Sequence, residues 1–301
     1  MFESVIVQSQ ARTYLKGHWQ QAIFAMLLVS LPELAATILF QLTAGQQLTA
    51  IQQQVLRSGM DFLLTDADAM QRILRFGGMN LGMQLVAWLI TAPLTVGLFH
   101  LLLERLHGGD IRVTQVFERL NIAPKAIGLQ MLICLKTLLW MLPGIVLIAG
   151  GSALLPNLNI SLYSALQLAQ GLTVVGLVAS AIPGGLALIR YTLAMADLAN
   201  HPDQGIMDCI RRSKQIMKGR TRAYLLLLLS YAGWWVLVLL AQTSLIALFG
   251  NVIGLMLYLI VRIAFLVYFN MGKTVFYALH LPTGSQKEIS ELIRQDDASV
   301  E

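Results

Sequence analysis

The stretch Tyr224–Leu279, YLLLLLSYAGWWVLVLLAQTSLIALFGNVIGLMLYLIVRIAFLVYFNMGKTVFYAL, decides the fold. It carries only two charges, Arg262 and Lys273, and is punctuated by a Gly250-Asn251 step. A helix crosses the hydrocarbon of a bilayer in about 20 apolar residues. The stretch therefore holds two crossings in succession, near residues 224–249 and 252–279. Working outward from it, four more windows meet the same criterion: 21–42, 81–103, 126–149 and 166–194. Period-two alternation broken by regular turns is absent, so a membrane β-barrel fits poorly. The sequence predicts an all-α polytopic membrane protein with six transmembrane helices. These form one domain over residues 1–285, followed by a short acidic tail over 286–301.

Composition agrees. The chain has 301 residues, 56% hydrophobic and 12% charged, with a mean hydropathy of +0.68. A soluble domain carries roughly twice that charged fraction. Apolar surface in such excess has to face lipid. An ordinary soluble enzyme, a nucleic-acid-binding module and a disordered scaffold are excluded. The lead before the first apolar run lacks a small-residue cleavage site, so no cleaved signal peptide is expected. The two cysteines, Cys134 and Cys209, lie in an apolar run and a basic loop. A structural disulfide is not expected from them.

The net charge of +5 is read as topology. Of the 21 basic residues, 15 fall in the N-terminal lead, the loops after spans two and four, and the tail, with Lys273 at the inner end of span six counted with the tail. Arg57, Arg72 and Arg75 occupy the first loop on the opposite side, and Lys136, Arg190 and Arg262 lie inside spans. Lys and Arg accumulate in cytoplasmic loops. Both termini are therefore expected in the cytoplasm, and the membrane is expected to be the bacterial inner membrane. The long first external segment, about 43–78, spaces Leu56, Met60, Leu63, Ala67, Met70 and Leu74 as one helical face.

The two large basic loops resemble each other. Gly109-Asp110 and Pro202-Asp203 each precede a short amphipathic segment, and Lys125 and Lys218 each follow their aspartate by 15 residues. Val113, Val116, Phe117 and Leu120 form the apolar face of the first segment, opposite Arg112, Glu118 and Arg119. Ile206, Ile210, Ser213 and Met217 form that of the second, opposite Asp208, Arg211, Arg212, Lys214 and Lys218. The N-terminal lead, with Val7, Ala11 and Tyr14 before Lys16-Gly17, reads as a third copy. The unit is an amphipathic elbow helix followed by two spans. Such a basic helix ahead of a span suits the headgroup layer. Arg112, Arg119, Arg211, Arg212, Lys214 and Lys218 are the expected contacts to anionic lipid.

LIRYTLAMADLANHPDQGIMDCIRRSKQIMKGRTRAY followed by LLSYAGWW resembles an uncharacterised bacterial family of integral membrane proteins, domain of unknown function 975. LKGHWQQAI, TAPLTVGLFHLLLERLHGGD and WMLPGIVL support the resemblance, which covers most of residues 11–268. It implies a polytopic helical protein with interfacial elbows and implies no activity. The long first external loop and the acidic tail depart from it.

Catalytic signatures are missing: the chain has no HExxH, GxSxG or CxxC. Met271-Gly272-Lys273-Thr274 imitates the end of a phosphate loop, but Val267 stands where that motif needs glycine. No catalytic residue, cofactor or metal is assigned, although His107 with Asp110 and His201 with Asp203 recur at equivalent elbows. The intramembrane cations say more, since ionisable groups at depth are costly and point to function. Lys136 and Arg262 lie about 15 Å inside their spans and Arg190 about 6 Å. They are candidates for an anion or lipid site, with Glu33 as an alternative partner for one of them. Pro32, Pro93, Pro143 and Pro183 put one proline inside each of the first four spans. Gly78-xxx-Gly82 and Gly250-xxx-Gly254 offer close helix approach. The leading expectation is a non-enzymatic membrane-organising or accessory protein whose elbows contact anionic headgroups, with other membrane proteins as further partners. A small transporter or flippase-like carrier for an anionic amphiphile, using the interior cations, is the alternative.

Overall fold

A computed structural model describes residues 2–45, 47–48, 50–51, 53–54, 67–154 and 162–281. Leu56, Met60 and Leu63 of the helical face expected over 43–78, and the acidic tail, lie outside the described residues, while Ala67, Met70 and Leu74 fall within a described helix.

The described residues fold into helices without strands. In chain order these are α1 (Phe2–Leu15), α2 (Trp19–Phe40), α3 (Ala67–Leu106), α4 (Gln115–Glu118), α5 (Ala123–Leu154), α6 (Leu162–Tyr191), α7 (Ala194–Asn200), α8 (Ile206–Met217) and α9 (Thr221–Leu279). A π-helical turn, Gln41–Gly45, extends α2, and a 3-10 turn, Leu120–Ile122, leads into α5. Six segments are long and apolar enough to cross a membrane: Trp19–Gly45, Gln71–Leu106, Gln115–Gly151, Gln167–Asn200, Thr221–Leu245 and Met256–Leu279. The protein is an all-α polytopic membrane protein.

The last two crossings form a helical hairpin, continuous except at Gly250, whose φ of 77° and ψ of 173° break the ladder and turn the second crossing back along the first. Glycine tolerates a positive φ that a side chain resists. Gly250 is thus a hinge between the two halves of α9, not the close-packing contact its spacing suggested. Gly78 and Gly82 face open space as well. Close approach occurs where the sequence did not flag it, between α5 and α6. A methyl group built on Gly144 would sit 2.0 Å from Ser180 Oγ and 2.2 Å from the Gly176 carbonyl oxygen. Only glycine lets these backbones meet. The four prolines lie inside α2, α3, α5 and α6, and each helix continues through its proline.

The two halves of α9 are zipped by aromatic rings. Tyr231 meets Tyr268 and Phe269 edge-to-face, both at 5.2 Å, and Trp235 meets Phe265 at 5.0 Å. Edge-to-face contacts set the positive ring edge against the negative ring face. Helix α1 lies across this pair rather than along it. Gln8 Nε2 donates to Ser230 Oγ on one half (2.7 Å), and Arg12 Nε donates to Tyr268 Oη on the other (3.2 Å). Its buried positions, Ser4, Val7, Ala11 and Leu15, form one helical face.

Burial is uneven. One end of the bundle gathers α1, α4, α7, α8 and the neighbouring ends of α3 and α9 into a packed core that includes Leu101, Leu193, Leu198, Ile210 and Phe276. We call this the elbow end. Toward the far end the helices turn large apolar residues outward, among them Leu139, Val146, Val174, Leu239 and Phe249.

Candidate functional site

The elbow end holds two polar clusters, one at each large basic loop. In the second, α7 carries Asp197, which is fully buried. Tyr277 Oη of α9 donates to Asp197 Oδ1 at 2.8 Å. Arg212 Nη1 of α8 and His201 Nδ1 each stand 3.5 Å from the same oxygen. A buried carboxylate needs such company, because desolvating a charge without compensation costs several kcal/mol. Cys209 is buried beside it, and burial together with the Asp197 carboxylate pushes the thiol up to about 12. A protonated, enclosed thiol is a poor nucleophile. The arrangement ties α7, α8 and α9 together.

Placement of α8 follows from its period. Cys209, Ile210, Ser213, Ile216 and Met217 are buried, and Ser213 Oγ donates to the Arg190 carbonyl at 2.8 Å, fastening α8 to the end of α6. Arg211, Lys214 and Lys218 point outward. Arg212 differs from the expectation, turning inward onto Asp197 and His201 instead of standing on the outer face. At the end of α8 the chain leaves through Gly219 (φ 81°), and α1 leaves through Gly17 (φ 82°) before its own span.

The first cluster is the polar counterpart. His100 Nε2 of α3 lies 3.3 Å from Glu104 Oε1 and 3.7 Å from Glu118 Oε2 of α4. Gln115 donates its amide to Glu104, and Arg119 Nη2 is 3.3 Å from His100 Nδ1. The ligand atoms of His100, Glu104 and Glu118 lie within 4.8 Å of one another, spacing that a metal ion could use. Arg119 opposes that use. A guanidinium only donates, so Nδ1 accepts and Nε2 carries the hydrogen, leaving no lone pair for an ion between the carboxylates. The trio acts as a hydrogen-bonded brace. Its i,i+4 pair, His100 and Glu104, was readable on one face of α3, whereas Glu118 arrives from another element. His107 and His201 do not pair with Asp110 and Asp203 here; His107 Nδ1 meets the Leu103 carbonyl.

The two clusters share a register at their carboxylate and arginine, although His100 of the first falls at Leu193 and Glu118 at Arg211 in the second. Glu104 and Arg119 are 15 positions apart, as are Asp197 and Arg212, and the basic pair Lys125 and Lys218 falls in the same register. The loops also touch, since Lys125 Nζ donates to the Pro202 carbonyl at 2.9 Å. Arg112 is exposed and Val116 packs fully inside against Gly97, while Phe117 on the four-residue α4 and Leu120 on the 3-10 turn that follows stay exposed.

The three interior cations occupy different surroundings. Arg262 Nη2 lies 3.3 Å from Glu33 Oε1, joining α9 to α2 across 229 positions of sequence. Arg190 is exposed near the end of α6, and Lys136 is half-buried on α5. Beside Glu33 is a cavity of about 360 Å3 whose lining includes Gln84, Thr91 and Cys134. A larger apolar cavity of about 720 Å3 opens between α1, the start of α2 and both halves of α9.

No curated protein and no solved structure matches the chain. A family model does, over residues 1–280, under the description "Protein of unknown function (DUF975)". That span takes in every described helix and both elbow clusters, and the chain belongs to this family.

Proposed function

We propose that the protein is a non-enzymatic membrane-organising or accessory factor of the bacterial inner membrane, holding anionic lipid against its basic elbows on the cytoplasmic side. The observation that carries this is α8. Its apolar face is buried in the protein, and its outer face presents Arg211, Lys214 and Lys218 immediately before a membrane crossing. Cations held at that level attract anionic headgroups by roughly 1 kcal/mol each. Arg112 on the first elbow adds a fourth. Arg119 and Arg212, bound inward, serve the elbows as braces. The correspondence of Glu104–Arg119 with Asp197–Arg212, and of Gly17 with Gly219, supports a repeated unit of one elbow and two spans. Native mass spectrometry of protein released from mixed phosphatidylglycerol and phosphatidylethanolamine nanodiscs tests the reading. The R211Q/K214Q/K218Q variant should retain fewer phosphatidylglycerol molecules than the wild type while remaining folded. Equal retention by both would overturn it.

The carrier reading draws on one observation, the Glu33–Arg262 pair beside a cavity partly lined by polar groups. A hydrated path there would let a charged thiosulfonate reagent reach Cys134; a dry one would not. Flux of labelled anionic lipid in proteoliposomes, lost in E33Q and R262Q, would favour the carrier.

A further inference from the structure

The 720 Å3 cavity lies within the range of about 300–1,000 Å3 typical of ligand sites. Its wall is apolar, built from residues such as Leu237, Ala241, Ile260 and Ala264, and Trp19, Trp234 and Tyr268 stand among them. Of the described residues that line it, Arg12 alone is charged. Arg12 is exposed and uses Nε on Tyr268, with its guanidinium 5.6 Å from the centre of that ring. Among the described residues no carboxylate pairs with it, so its two terminal nitrogens remain available to a ligand.

Position supplies the rest. From Tyr268, where α1 crosses α9, to the break at Gly250 is about 27 Å along the helix, close to the hydrocarbon thickness of a bilayer. A membrane bounded by those two levels puts α1 in the headgroup layer, as suits a helix lying across the bundle. The cavity then runs from Tyr268 to Ile260, about 12 Å into the hydrocarbon, which is most of one leaflet. Apolar walls one leaflet deep beneath a cation at the headgroup level match a single class of ligand.

We infer that this cavity seats one anionic glycerophospholipid of the elbow-side leaflet, with its phosphate on Arg12 and an acyl chain between the two halves of α9. The site shares with the proposed function the reading of the elbow end as a headgroup layer, but none of its lining residues belongs to α8. A phosphatidylglycerol with a photoactivatable acyl chain, in nanodiscs with the full-length protein, tests it by peptide mapping. The label should concentrate on residues 234–241 and 260–268. Arg12→Gln, a surface change that leaves the apolar wall intact, should reduce phosphatidylglycerol labelling about fivefold, and Arg12→Lys should restore more than half of it. Ala264→Phe, which fills the cavity, should abolish the label. A phosphatidylcholine analogue should label weakly and indifferently to Arg12. R211Q/K214Q/K218Q should leave this label unchanged, so that loss of lipid at α8 and loss of lipid here are separate results. Equal labelling by the two lipids, a label spread over Val174–Val178 as over α9, or indifference to both Arg12→Gln and Ala264→Phe would each overturn the inference.

Discussion

The elbow end and the far end of this bundle are built by different rules. At the elbow end Leu193, Leu198 and Leu101 are fully buried, and polar groups are held in pairs, as with Asp197 and Arg212 or His100 and Glu104. Toward the far end, Leu139 and Val146 are each 64% exposed and Leu248 is 75% exposed. The same residue type is interior packing in one region and solvent-facing in the other, because the solvent there is hydrocarbon. Helix association in lipid gains little from hiding leucine and depends on close backbone contact and polar links. The membrane-spanning segments use both: the Gly144–Gly176 crossing and the Glu33–Arg262 pair.

This contrast can be broken in graded steps. The largest effect is expected at Asp197. Removing it as Asp197→Ala strands Arg212 and Tyr277 at a buried position and should cost about 3 kcal/mol, read as a lowered thermal midpoint in detergent. An unchanged midpoint would mean the elbow core is not held by this cluster. Next is Gly144→Val, which forces α5 from α6 and should cost about 1–3 kcal/mol by the same measurement. Leu139→Ala, on the lipid face, should move the midpoint by less than about 0.5 kcal/mol, against several for Leu198→Ala. Comparable losses at the two leucines would erase the distinction between the ends. The mildest probe is chemical. With its thiol held protonated up to about 12, Cys209 should resist maleimide at pH 8 in the folded protein and react once it unfolds.

The six crossings were legible because apolar runs of spanning length are long-range features of composition, insensitive to packing detail. The boundary at Gly250-Asn251 was legible for the same reason. α3 was read short, since its first turns, about four of them ahead of residue 81, are too polar to register as a span yet carry the helix back to Ala67. The outward cations Arg211, Lys214 and Lys218 followed from helical period alone. Arg212 did not, because period places a residue on a face without saying which charge the preceding helix leaves beneath it. Asp197 stands 15 positions back and on another helix, and Tyr277 arrives from 80 positions away. The pairing of Glu33 with one interior cation was open from depth, but the choice of Arg262 over Lys136 depends on how α2 packs on α9. The large cavity was out of reach, since Arg12 meets it only when α1 crosses the α9 pair.

The account turns on which side of the membrane the packed end occupies. The direct measurement is labelling of Arg211→Cys, at a side chain 76% exposed on α8, in a Cys134→Ser background with a membrane-impermeant maleimide. Inverted inner-membrane vesicles should label and intact spheroplasts should not, which would place the elbows in the cytoplasm beside anionic lipid. Labelling in spheroplasts with protection in inverted vesicles would contradict the account.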